Sequence, residues 1–159
     1  MNLSKTAIDF LVREEGLKTS VYKDTEGEPT IGVGHQLTPT ELGSGNVMVK
    51  GKVYSWKLGL PIEICLQLLE QDVNERYGKS VSKYVKVPLT QNQFDALVLL
   101  CYNIGEGHFK NSTLVKKLNA KLYNDIPNEF RKWRKDKGKV SKVLVARREK
   151  EIAIWEGNV

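Results

Sequence analysis

Apolar residues recur along this chain with two different periods, and the places where the period changes divide it into elements. Ala7, Ile8, Leu11 and Val12 share one helical face, with Ser4 placed to cap that helix and Gly16 to stop it, which predicts a helix over 4–15. The period then shortens. "TSVYKDTEGEPTIGVGH" alternates, with β-branched and aromatic residues on either side of Thr25-Glu26-Gly27-Glu28, and predicts a hairpin. "SGNVMVKGKVYSW" places valines at alternate positions and reads as a further strand or an irregular loop.

Helical spacing returns at Ile62, Cys65, Leu66, Leu69, Val73 and Tyr77, with Pro61 suited to the first turn and Gly78 to the end. A helix over 61–78 is about 27 Å long, enough to connect two lobes. Thr90 and Gln93 make a capping box for the next helix, which holds Phe94, Leu97, Val98, Cys101 and Tyr102. Its middle, "LVLLCY", is apolar all round and so belongs at the centre of a core. Three more helices follow: one capped by Ser112, one entered through Pro127, and one from about Leu144 to Trp155; Gly105, Gly107 and Gly138 fall in turns. The sum is an α+β chain of two lobes. A small β-containing lobe spans about 16–58, the connecting helix about 61–78, and a larger all-helical lobe about 80–159. The apolar face of the first helix is expected to pack on the helical lobe, and a ligand cleft is expected where the lobes meet.

Composition changes this picture in three ways. With 159 residues, 40% of them hydrophobic, the chain suits one domain, here 1–159. It has no apolar run of membrane-spanning length and no basic-then-apolar leader, so it is expected to be made in a cytoplasm without an export address. Cys65 and Cys101 both lie in apolar helical patterns and read as buried thiols; with only His35 and His108 beside them, no metal is expected, and no cofactor. The net charge of +6 is concentrated: residues 131–150 carry ten Lys/Arg against Asp136 and Glu149. Such a segment attracts polyanions, although taken alone a solvated helix surface accounts for it better.

The chemistry is concentrated in "EEGLKTSVYKDTEGEPTIGVGHQLT", residues 14–38, which holds five acidic residues. Two carboxyls delivered to one cleft from different elements can divide acid and base labour, as glycoside hydrolysis requires. Solvated helix ends and turn residues explain the same composition, and periodicity does not choose between Glu14 and Glu15.

The spacing is more specific than the composition. Eight residues separate Glu15 from Asp24 and five separate Asp24 from Thr30, with Gly16 after the Glu and "IGVGH" after the Thr. This pattern resembles the active-site segment of phage-type lysozymes, the endolysins of glycoside hydrolase family 24, and its wording is nearest to the T-even phage lysozymes. "LLEQDV", "PLTQNQFDALVLLCYNIG", "FKNSTL" and "LVARREKEIAIW" are similar to further family segments in the same order, so the likeness covers nearly the whole chain. "GSGNVMVKGKVYSWKLG" and Arg131–Lys142 depart from it.

The resemblance implies a lysozyme-like fold and a muramidase that hydrolyses the β-1,4 bond between N-acetylmuramic acid and N-acetylglucosamine. It implies Glu15 as general acid, with burial against Leu11 tuning it, and Asp24 with Thr30 as holders of the attacking water. Gln36, Tyr102 and Ser112 are implied to line the sugar groove, core packing being an equal reading for Tyr102. His35 is expected to pair with Asp72 and tie the hairpin to the long helix. The implied partners are peptidoglycan glycan strands and, through the basic segment, the anionic cell envelope; the chain is expected to be a monomer. It would wait in the host cytoplasm until a holin-type pore admits it to the wall, and lysis would release phage. Three rivals remain: a lytic transglycosylase cutting the same bond, a lysozyme-like fold without catalysis, and a basic nucleic-acid-binding module built on Arg131–Lys150 with Trp133. The last has no nucleic-acid motif, and no nucleic-acid partner is expected.

Overall fold

A computed structural model describes residues 1–158. Two compact units divide the chain: Lys5–Glu75, and Met1–Ser4 with Arg76–Val159. No helix among the described residues is long and apolar enough to cross a membrane.

The first unit opens with α1 (Lys5–Glu15), which buries Ala7, Ile8, Phe10 and Leu11. Gly16 ends it at φ 78°, its amide donating to the Val12 carbonyl at 2.9 Å. The first helix groups with the sheets and packs on α3 (Ile62–Val73). The predicted hairpin is the larger part of a three-stranded antiparallel sheet, β1 (Lys18–Lys23), β2 (Pro29–Gly32) and β3 (His35–Gln36), in that order. The register pairs Tyr22 with Thr30, and Thr30 in turn with Gln36.

Residues 39–44 form a helix that hydrophobic periodicity does not announce. This α2 (Pro39–Ser44) buries nothing and rests on its cap: Thr38 Oγ1 accepts from the Glu41 amide, and Glu41 returns a carboxylate to the Thr38 amide at 2.9 Å. The next segment, open between strand and loop, is a hairpin of β4 (Asn46–Val49) and β5 (Lys52–Ser55). Its two-residue loop, Lys50-Gly51, takes φ values of 48° and 81°, as primed hairpin turns require. Ile31, Leu37, Val47, Val49, Leu60, Cys65 and Leu68 make one buried cluster across these elements.

The long helix does not stop where its glycine suggested. After Val73 the backbone widens into one π-turn over Asn74–Gly78, and α4 (Lys79–Tyr84) follows directly. Gly78 is buried with ordinary helical angles, φ −61° and ψ −43°, so it serves packing within the helix instead of ending it.

In the second unit, α5 (Gln91–Ile104) has the predicted capping box and buries every residue from Phe94 to Cys101. Asp95, 1% exposed, is satisfied there by the Ser4 hydroxyl at 2.5 Å, the Ser4 amide and the Gln91 amide group. Gly107, expected in a turn, lies inside the short α6 (Glu106–Lys110). Then come α7 (Thr113–Asn119), α8 (Ile126–Arg131) and α9 (Lys142–Trp155), with α9 capped by Ser141. The lobe is not all-helical: β6 (Lys135–Asp136) and β7 (Lys139–Val140) form a ribbon around a second Lys-Gly loop, Lys137 at φ 51° and Gly138 at φ 80°.

Charge is buried where α9 meets α5. Arg147, Arg148 and Glu151 are 6%, 1% and 0% exposed. Glu151 takes Arg147 Nε at 3.0 Å and Arg148 Nη1 at 3.0 Å, while Arg148 Nη2 donates to Asn103 Oδ1. Burial draws the Arg148 guanidinium below its usual range, opposed by Glu151. Removing Glu151 leaves both buried guanidinium groups without the carboxylate they share, at a cost of roughly 3–5 kcal/mol.

Cys65 and Cys101 are both buried free thiols. Burial first, then the Glu106 carboxylate, pushes the Cys101 thiol up to about 12. Neither thiol should react with a disulfide reagent at pH 8 in the folded protein, and both should react after unfolding. A native reaction at the rate of a free thiol would contradict this burial.

Candidate active site

The acidic loop between β1 and β2 is built around one carboxylate. Asp24 Oδ1 accepts from the Glu26 and Glu28 amides, each at 2.9 Å, and Oδ2 accepts from Gln36 Nε2 at 2.9 Å. The Asp24 amide and the Glu28 carbonyl close the loop at 2.9 Å. These donors stabilise the charged form, and the Glu28 amide leads them in holding the Asp24 carboxyl below the ordinary aspartate range, with Gln36 next. Asp24 is therefore a fixed anion near neutral pH.

Thr30 lies on β2, 1% exposed, and its hydroxyl donates to the Glu28 carbonyl at 2.8 Å. With its proton committed, that oxygen is left as an acceptor. Tyr22, opposite Thr30 on β1, links the acids. Its phenol is pushed up first by burial, then by the negative charges of Asp24 and Glu15, against a backbone hydrogen bond from Gly34. Both carboxylates are thus felt at one ring. Nothing in the sequence pattern singled out Tyr22; its register partner was the available signal.

Glu15 is the last residue of α1, and the structure leaves it solvent-exposed. That corrects the expected burial against Leu11, which is 0% exposed and faces the core.

His35 is held from both sides. Nδ1 lies 2.7 Å from Asp72 Oδ2 on α3, and Nε2 lies 2.9 Å from Glu41 Oε1 on α2. Burial alone would depress this imidazole; Asp72 and then Glu41 outweigh it and raise it to about 9. Asp72 was paired with His35 on the sequence, whereas Glu41 was not. The signal for Glu41 was its place in the capping box, which fixes the carboxylate beside the strand.

Of the remaining candidates, Gln36 is exposed beside Asp24, and Tyr102 and Ser112 belong to the second unit. Ser112 is 6% exposed, and its hydroxyl donates to the Phe109 carbonyl at 2.7 Å and accepts from the Val115 amide at 3.2 Å. Tyr102 is half-buried, its ring 5.1 Å from that of Tyr77. A hollow of about 790 Å³ opens in the second unit, lined by Asn103, His108, Lys132, Trp133, Lys135 and Asp136 among others. Arg148 fixes the Asn103 carbonyl oxygen, so the amide NH₂ is left to donate.

The basic segment is less uniform than its composition. Arg147 and Arg148 are buried in the fold. Arg131 makes two bonds to Glu149, at 2.9 and 3.0 Å, and Lys132 pairs with Glu129 at 2.7 Å. Arg134, Lys135, Lys137, Lys139 and Lys142 are exposed on or beside the β6–β7 ribbon.

The profile of the phage lysozyme family matches residues 12–151. The chain belongs to the phage lysozyme family. It is 37% identical over 155 residues to the endolysin of Salmonella phage P22, covering 98% of each chain. It is 42% identical over 157 residues to the endolysin of Bacillus phage B103, covering 98% of this chain and 54% of that one. Among solved structures, a P22 lysozyme mutant superposes with a TM-score of 0.80 at 36% identity, over 98% of this chain and 99% of that one. The muramidase domain of SpmX from Asticaccaulis excentricus gives 0.75 at 25%, over 96% of each. This phage lysozyme family member therefore has the lysozyme-like α+β fold, and it is a glycoside hydrolase, a peptidoglycan-hydrolysing lysis enzyme.

Proposed function

We propose that this enzyme is a muramidase cutting the β-1,4 bond between N-acetylmuramic acid and N-acetylglucosamine, with residues 1–159 acting as one catalytic domain on the T-even pattern of site residues. The observation that supports it best is Tyr22, which feels Asp24 and Glu15 together and faces Thr30 across the strand pair. In this reading Glu15 protonates the departing glycosidic oxygen. The bound glycan itself excludes water from that exposed carboxyl. Asp24 and the Thr30 oxygen are both acceptors, so a water between them donates both hydrogens and keeps a lone pair for the anomeric carbon. Attack by that water on the face opposite the leaving group inverts the configuration.

Gln36 holds Asp24 and meets the sugar, and Tyr102 offers its ring to a sugar face. Ser112, with its hydroxyl engaged as the α7 cap, supports the groove from beneath. His35 and Asp72 hold β3 to α3. Lys132, Lys135 and the Asn103 amide make the hollow suited to carboxylates carried by the substrate's peptides. The enzyme acts as a monomer. The exposed cations of the ribbon draw it to the anionic envelope over a range of about 8–10 Å in physiological salt. It reaches the wall from the host cytoplasm through a holin-type pore.

Purified sacculi digested by the enzyme should release hydrated reducing ends, and the first-formed anomer should be α. Anhydro products would replace hydrolysis by transglycosylation, and a first-formed β anomer would overturn inversion. Asp24→Asn should lower kcat about 10²–10⁴-fold, and Thr30→Ala should lower it less, since the water then keeps one of its two acceptors.

A further inference from the structure

The π-turn ahead of α4 is a departure from regular helical geometry, and such turns collect at functional positions. Two consecutive residues of it, Arg76 and Tyr77, project onto the α5–α6 junction. Arg76 Nε donates to Glu106 Oε1 at 2.8 Å, and its guanidinium also lies 5.1 Å from the Tyr77 ring centroid. Tyr77 meets Tyr102 edge to face, centroids 5.1 Å apart and planes at 64°. The four side chains form one line of contacts, a circuit from Glu106 to Arg76, Arg76 to Tyr77 and Tyr77 to Tyr102.

We infer that Tyr77 is a positioning residue for substrate binding, fixing the plane of the Tyr102 ring against the glycan, with Arg76 and Glu106 holding Tyr77 in place. This rests on the reading above that Tyr102 meets the sugar. The physical reason is rotational freedom. A half-buried tyrosine on a helix end samples more than one ring orientation, and a sugar face stacks on only one of them. An edge-to-face neighbour selects that orientation before substrate arrives, which lowers the ordering cost of binding. The guanidinium beside the Tyr77 ring and its ion pair with Glu106 restrain the selecting ring in turn. The role assigned to Tyr77 is in binding and not in the chemical step.

The test is steady-state cleavage of soluble, uncross-linked peptidoglycan glycan strands by the intact enzyme and its variants, each first shown to keep its unfolding temperature within a few degrees. Tyr102→Ala should raise KM. Tyr77→Leu should raise KM about 3- to 10-fold with kcat held within twofold, and Tyr77→Phe, which keeps the ring, should restore it. Tyr77→Leu added to Tyr102→Ala should cost nothing further, because the ring it positions is gone. If Tyr102→Ala leaves KM unchanged, the sugar-contact reading fails and the inference with it. If Tyr102→Ala raises KM but Tyr77→Leu does not, only the positioning role is overturned. Failure of Tyr77→Phe to rescue would likewise overturn it, since the aromatic edge is what the inference assigns. An additive double variant would do so as well.

Discussion

Glu15→Gln should leave a protein that folds as the parent does and releases reducing ends from sacculi about 10²–10⁴-fold more slowly. The substitution keeps volume and hydrogen-bonding capacity and removes only the transferable proton. Glu15 stands at the exposed end of α1, and the glutamine amide keeps the side chain's length and its capacity to accept a hydrogen bond, so the unfolding temperature should move little. Loss of rate with an unchanged melting curve assigns the residue to chemistry. Near-parental rates from the folded variant would remove Glu15 from the acid's place and return the question to Glu14. The family pattern, not burial, chose between these two neighbours.

The second large effect is on stability, and it depends on pH. His35 is raised from 6.5 to about 9 by Asp72 and Glu41, against its own burial. A group raised on folding contributes fully below its unfolded value and loses that contribution as pH climbs through its folded one. The His35 contribution is therefore complete below about pH 6.5 and gone above about pH 9. A shift of this size corresponds to roughly 3 kcal/mol, and the 35% exposure of the Asp72 side chain screens it to about 2–3. Between pH 6.5 and 9 the parent should lose that much unfolding free energy, or about 5–10 °C of Tm. His35→Asn should be less stable at pH 6 and should lack this component, so the two curves converge by pH 9. Parallel curves over the whole range would show that the imidazole gains no proton on folding. The same measurement tests Glu41→Gln, which should remove part of the slope and also loosen α2, because one carboxylate serves the cap and the imidazole together.

Elements built on local rules were legible in the sequence. The capping box at Thr90 and Gln93 and the unbroken apolar run after it announced α5 and its place at the core. Alternation announced β1 and β2. What escaped did so for identifiable reasons. α2 has too few residues and no buried face, so periodicity had nothing to register, although Thr38, Pro39 and Glu41 spelled out a helix start. Both Lys-Gly loops were visible as dipeptides, yet neither calls for a hairpin until the flanking strands are paired, and the β6–β7 strands are only two residues long. The π-turn adds its surplus residue without disturbing the apolar spacing by more than a helix tolerates, and Gly78 then looked like an end. Among the site residues, the Glu15, Asp24 and Thr30 pattern was readable only as a family spacing. Tyr22 and Glu41, which connect those residues to the rest, came from strand register and from a cap.

The buried charges of α9 also bear on the order in which the protein is made. The Leu99 carbonyl and the Asn103 side chain on α5 are met by Arg147 and Arg148, 48 and 45 residues further along the chain. At a synthesis rate of about 5–20 residues per second, α5 is exposed for several seconds before its cover exists. During that interval α5, buried along its whole apolar run in the finished fold, lacks the helix that covers most of it. Nascent chains cut short ahead of Arg147 should therefore be insoluble, and hydrolytic capacity should accumulate in the host only as completed chains, not in proportion to translation begun.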